Sequence, residues 1–194
     1  MRFVLGPPPD SVTPDDLAGG EWHRLRELPQ WAFQLAALPI GAAFAFVLFV
    51  AWVVFTPDFT VEFAESAPVV AVTLAILSLG TLLQLAALPA MGLSRQAVLG
   101  LWPSRLLLYT SYACRLARRR HLLRLLLPFV VMALGPLFVV LVFRVQSGWL
   151  IFVSCVSALS FGAHVVQALW VAVQVPANAQ IGGVRFQTYW RART

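Results

Sequence analysis

Residues 32–56, AFQLAALPIGAAFAFVLFVAWVVFT, carry no charged side chain. At ~1.5 Å of rise per residue, a helix of this length crosses a hydrocarbon core of ~30 Å. A soluble domain would have no second apolar phase in which to bury every face of such a helix. Working outward from it, three further apolar runs occupy 67–89, 122–143 and 149–175. The sequence therefore predicts an all-α integral membrane protein of four transmembrane helices, with a short strand-like or interfacial cytoplasmic segment and tail.

Composition agrees. Mean hydropathy is +0.81 and charged residues make up only 11% of the chain, too apolar for a soluble domain. There is no lysine, every acidic residue lies between Asp10 and Glu65, and eleven of the fourteen arginines follow that stretch. In a soluble chain a pI near 10.6 would suggest nucleic acid. Here the arginines flank apolar spans, where topology and anionic headgroups account for them, so the expected partner is the lipid bilayer and not nucleic acid. Cys114 and Cys155 are isolated, without the spacing of a disulfide framework or a cysteine metal site. The apolar run ahead of Pro7–Pro9 is shorter than a signal-peptide core, so the first membrane helix is expected to act as the insertion signal.

Along the chain, 1–31 reads as an irregular cytoplasmic segment. Trp22, Leu25, Leu28 and Trp31 recur at three-residue spacing, which predicts an interfacial amphipathic helix with its tryptophans at headgroup level. The membrane domain is 32–176. Pro57 ends the first span before an acidic outer loop with Asp58, Glu62 and Glu65. The second span carries Thr73, Ser78, Thr81 and Gln84. The basic loop 92–121 holds Arg95, Arg105, Arg115 and Arg118 to Arg120, which fix it in the cytoplasm. Its stretch around Leu106–Tyr112 fits a strand or an interfacial helix. Arg115, Arg118, Arg119 and Arg120 are expected to contact lipid headgroups, His121 to be solvated at the membrane edge, and Arg124 to snorkel outward. Pro128, Gly135 and Pro136 predict a kink in the third span. In the tail, 177–194, Gly182 and Gly183 read as a turn before a short strand. Four spans with a basic middle loop and tail predict an inner, cytoplasmic membrane location with both termini in the cytoplasm.

Several passages together resemble the zincin peptidases of bacterial membranes. These are FVLGPPPD, EWHRLRELPQW, LPAMGLSRQAVLGLWP, SYACRLARRRHLLRLLLPFVV, QVPANAQ and TYWR, in that order over nearly the whole chain. The resemblance implies a His-Glu-x-x-His motif in a membrane helix. Two imidazoles four residues apart would hold zinc on one helix face, and the Glu would act on a zinc-bound water. At those positions this chain has Gly80, Thr81 and Gln84. Glycine has no ligand atom, a threonine hydroxyl is no base near neutral pH and an amide is a poor zinc ligand. No carboxylate follows Glu65. The expectation is a zincin-like protein that has lost its catalytic residues and its zinc ligands, and hence has no cofactor.

His164 is the one histidine well inside a span, and Gln84, His164 and Gln167 form a candidate remnant polar pocket, read alternatively as a contact holding helices together. Three functions compete. The first is a non-catalytic binding or regulatory protein that holds a membrane protein or peptide through its tail strand and the 102–112 segment. The second is an active membrane zinc metallopeptidase with displaced ligands, dependent on Glu62 or Glu65. The third is a small transporter or channel subunit.

Overall fold

The computed structural model describes residues 1–6, 9–12, 21–56, 66–102, 107–144, 147–184 and 187–192. It is mostly helical, at 64%, and four helical stretches are long and apolar enough to cross a membrane. These are α1 (Gln30–Phe55), α2 (Ser66–Ala86), the continuous run of α3 (Arg118–Pro128), a π-helical segment (Phe129–Leu134) and α4 (Gly135–Phe143), and finally α5 (Gly148–Gln174). The spans thus lie where the apolar runs place them. The acidic outer loop with Asp58, Glu62 and Glu65 falls outside the described residues, as do Arg105 and the side chain of Trp102.

Each helix end has a local cause. After α1, Thr56 turns its hydroxyl onto the Trp52 carbonyl at 2.7 Å, and Pro57 follows. Pro89 stops α2 and opens a 3-10 turn, Pro89–Gly92, in which Ala90, Met91 and Gly92 all have positive φ, at 54°, 53° and 75°. Only glycine takes that conformation freely. A Cβ on Gly92 would also stand 2.8 Å from the Leu85 carbonyl oxygen. The expected disturbance of the third span takes the form of the π segment. Pro136 has no N–H to donate back along the helix, and Gly135 instead donates to the Val130 carbonyl one residue further back than an α-helix would.

The chain divides into two compact units. The second comprises Trp31–Leu82 and Leu126–Val166 and is helical. Small residues set its packing. A Cβ at Gly41 would lie 2.0 Å from the Leu159 carbonyl oxygen, and one at Gly162 would lie 2.9 Å from Phe44, so α1 and α5 approach backbone to backbone as membrane helices do. Ser154, fully buried, donates to the Ala133 carbonyl of the π segment at 2.5 Å. Trp52, Val140 and Ile151 form a buried cluster, so Trp52 is a core residue and not an interfacial one. Large apolar side chains such as Phe46, Val47, Val54 and Phe138 are exposed on the helix exteriors. Water would not tolerate so continuous an apolar surface, but lipid does.

The first unit, Met1–Gln30, Leu83–Leu125 and Gln167–Thr194, corrects the all-α expectation. It contains β1 (Arg2–Leu5), β2 (His23–Arg24), β3 (Ala97–Trp102), β4 (Leu107–Tyr112), β5 (Leu116–Ala117), β6 (Gln180–Val184) and β7 (Gln187–Arg191). One sheet has the order β1-β3-β4, with β1 parallel to β3 and β4 antiparallel; the other has the order β2-β7-β6-β5. The first sheet packs Ala97 and Tyr112 with Leu85 and Leu88 from the end of α2. The second packs Ile181 with Leu25 and with Val171 and Val175 from the end of α5. A parallel pairing such as β1 with β3 joins residues nearly a hundred positions apart, as in Arg2 with Val98.

Two further expectations are overturned in this unit. No helix forms over Trp22–Pro29, and the chain becomes helical only at Gln30, where α1 begins. Leu25 donates its N–H to the Thr188 carbonyl at 2.9 Å, and Gln174 clamps both backbone groups of Arg26 at 3.0 Å. Trp22 and Leu25 are buried in protein, and the guanidiniums of Arg115 and Arg191 lie 5.3 and 5.4 Å from the Trp22 ring. The three-residue spacing thus marks an extended segment paired to a sheet. Gly182 and Gly183 are strand residues and not a turn. A Cβ at Gly182 would sit 2.3 Å from the Val12 side chain, and Gly183 exchanges hydrogen bonds with Ser11. Glycine here permits the close approach of another backbone.

Candidate functional site

Gly80, Thr81 and Gln84, where the resemblance would put the motif, lie in the second half of α2, and each is engaged in structural contacts. At Gly80, an added Cβ would stand 2.0 Å from Phe161 Cζ. Phe161 is buried, so the space for a ligand side chain is filled by an aromatic ring. Thr81 donates its hydroxyl to the Leu77 carbonyl of its own helix at 2.8 Å, the usual way a hydroxyl is satisfied in an apolar span. Gln84 accepts a hydrogen bond from Thr110 Oγ1 of β4 at 2.9 Å. Its amide oxygen therefore ties α2 to the first sheet.

Of the candidate remnant pocket, Gln84 and Gln167 belong to the first unit and His164 to the second. The His164 ring lies 6.0 Å from that of Phe161 and tilted to it, so Phe161 neighbours both Gly80 and His164. Gln167 is half-buried on α5. Among the described residues no group of three or more His, Cys, Asp or Glu is placed to hold a metal ion.

The arginines expected at lipid headgroups are largely engaged with protein. Arg115 covers Trp22. Arg118 donates from Nη2 to the Ala172 carbonyl at 2.7 Å, and Arg120 from Nη1 to the Leu88 carbonyl at 3.4 Å. Arg119 is exposed and keeps the headgroup reading. Arg118 and Arg120 close the loop onto carbonyls at the ends of α5 and α2, which lack partners within the helix.

The feature that sequence reasoning missed is a cavity of about 200 Å³ within the first unit. One wall is the start of α3, with His121 and Arg124 three residues apart and so on one helix face. A second wall is β4, from Tyr109 to Tyr112. A third is Ile181, Gly182 and Gly183 of β6, and Pro9 and Ser11 lie across these glycines. His121, expected to be solvated, is only 7% exposed. The bonds that fold the loop over the helix start account for this: Ala113 N–H to Gln96 O at 2.9 Å, Arg118 N–H to Ala179 O at 3.1 Å and Tyr112 Oη to Gln96 Oε1 at 2.7 Å. Arg124 points Nη1 to the Thr110 carbonyl at 3.5 Å instead of snorkelling free. Among the described residues, His121 Nε2 and Arg124 Nε are buried and make no hydrogen bond.

The hydroxyls nearby have partners. Tyr109 donates to the Gly6 carbonyl at 2.9 Å, and burial raises its pKa. Thr188 donates from both N–H and Oγ1 to the Glu27 carboxylate, at 2.8 and 3.3 Å. Burial raises the Glu27 pKa, opposed by those two bonds and by Arg24. The sequence signal that would have found the cavity is the i, i+3 pair His121 and Arg124 followed by an apolar span. It is not specific, because the same pair reads equally well as a membrane-edge charge cluster. Comparison with protein-family models, with curated proteins and with solved structures finds no match to this chain.

Proposed function

We propose that this chain is a non-catalytic, zincin-peptidase-like protein of the inner membrane, in which the β unit serves as a binding or regulatory surface for a membrane protein or peptide. The observation that carries the reading is at the motif helix. Phe161 fills the place where the first metal ligand would project, and the other two positions spend their polar atoms on Leu77 and Thr110. Such a helix offers hydrolysis neither a base nor a Lewis-acid site.

The expected contact surface needs revision. The tail strand β7 lies between β2 and β6, so its backbone groups are already paired. The free edges of the three-stranded sheet are β1 and β4, and an extended peptide adds to such an edge by main-chain hydrogen bonds. Phe3 and Leu5 of β1 are exposed, which favours that edge.

The arginine distribution supports cytoplasmic termini. The N-terminal segment, the loop between the second and third spans and the tail form one unit, and together they hold thirteen of the fourteen arginines. Arginine-rich segments stay on the cytoplasmic side. Protein reconstituted in vesicles with a library of membrane-span peptides should show no cleavage that a chelator abolishes. Chelator-sensitive cleavage that is lost on mutating Glu62 or Glu65 would establish the active-peptidase alternative.

A further inference from the structure

We propose that the cavity under the first sheet is a binding site for a phosphate group, held by Arg124 and His121. The proposal is independent of whether the chain descends from a peptidase. A buried polar atom without a partner is costly, and folded proteins retain few of them. Here two such atoms, His121 Nε2 and Arg124 Nε, belong to side chains that line the same cavity. The guanidinium is a donor with a permanent positive charge, and a neutral imidazole can donate from Nε2 in one of its two tautomers. Among the described residues no carboxylate lines the cavity, and Glu27 is engaged by Thr188. The missing partner is therefore an oxyanion.

Geometry selects phosphate over a flat carboxylate. Thr110 and Thr188 already donate their hydroxyls to Gln84 and Glu27, and the remaining donors are the Arg124 and His121 nitrogens of α3 and the Ser111 hydroxyl of β4. A tetrahedral group presents oxygens to all of these, whereas a carboxylate reaches donors only in its own plane. A volume of about 200 Å³ admits a phosphate with a small substituent. That phosphate is either free in the cytoplasm or the headgroup of a lipid, since α3 runs directly into the third span.

The wild-type full chain in phosphate-free detergent tests this directly, because Cys114 lines the cavity as a free, half-buried thiol. Maleimide labelling of Cys114 should slow when inorganic phosphate or short-chain phosphatidylglycerol is added, with the rate in sodium chloride of equal ionic strength as the control. Protection by inorganic phosphate identifies a soluble ligand. Protection by phosphatidylglycerol alone, and not by phosphatidylcholine, identifies a headgroup. Equilibrium binding of the protecting probe should weaken by about ten-fold or more in Arg124→Gln and His121→Phe. It should be unchanged in Arg119→Gln, an exposed neighbour on the same helix. Absence of protection by either probe, or equal binding by the Arg124, His121 and Arg119 variants, would overturn the assignment.

Discussion

At the scale of single residues, two positions carry the account. Gly80 lies in the middle of a helix, where alanine is ordinarily better by ~1 kcal/mol. Here a Cβ would overlap a buried phenyl ring, and overpacking costs about 1–3 kcal/mol. Overlap wins, so Gly80→Ala should lower the thermal midpoint in detergent, and should lower it less when made in a Phe161→Ala chain than in the wild type. An unchanged midpoint in Gly80→Ala would mean that Phe161 does not occupy that space. The same contact shows why a histidine placed at 80 alone would not rebuild a ligand.

Glu27 gives the pH prediction. Burial raises its folded-state pKa above the unfolded value, so folding favours the protonated form. Its contribution is fully present below the unfolded pKa and is lost as pH rises through the folded one. Glu27→Gln keeps an acceptor for the Thr188 N–H and removes the charge. Wild-type stability should therefore fall relative to Glu27→Gln as the pH is raised from about 4 towards neutrality. Parallel melting curves across that range would contradict the assignment.

At the scale of elements, the spans were legible and the strands were not, for a physical reason. A membrane helix satisfies its own backbone, so its signal is local and nothing distant is needed to see it. The reading from 32 to 56 and the helix Gln30–Phe55 differ by two residues at one end and one at the other. Strands find their partners far away. Neither β1 nor the pairing of β2 with β7 could be read from segments that look irregular alone, and Trp22 and Leu25 were misread because three-residue spacing also fits a helix. Within the left-open stretch at Leu106–Tyr112, residues Leu107–Tyr112 form β4 because β3 lies beside them.

Helix packing yields a test at this scale. Gly41 and Gly162 let α1 meet α5, and a Cβ at Gly41 would strike the Leu159 backbone, which cannot rotate away as a side chain can. Gly41→Ala should cost about 1–3 kcal/mol, read as a lowered unfolding midpoint in detergent. Gly135→Ala, where the nearest atom is 3.9 Å away, should cost far less. Equal effects would mean that the α1 and α5 backbones do not approach closely.

At the scale of the whole molecule, the three arginine-bearing segments come together as one β unit, while the second unit is made of helices with apolar exteriors. The sequence marked the arginines but could not show that several of them are tied to protein. Arg115, Arg118 and Arg120 tie the loop to Trp22 of the N-terminal segment and to the ends of α5 and α2, a role invisible until the segments are brought together. The candidate site was legible only as a set of substitutions at Gly80, Thr81 and Gln84. The partners that Gly80 and Gln84 meet, Phe161 and Thr110, are distant in sequence. The cavity needs residues from all three segments, so no single stretch announces it.

The central claim is that the chain keeps a membrane scaffold without a zinc site. Its most direct test is the zinc content per chain of protein purified in mild detergent, without chelators and without a metal-binding tag. The account predicts a value near zero that excess zinc does not raise. About one zinc per chain, lost on mutating His164, would contradict it.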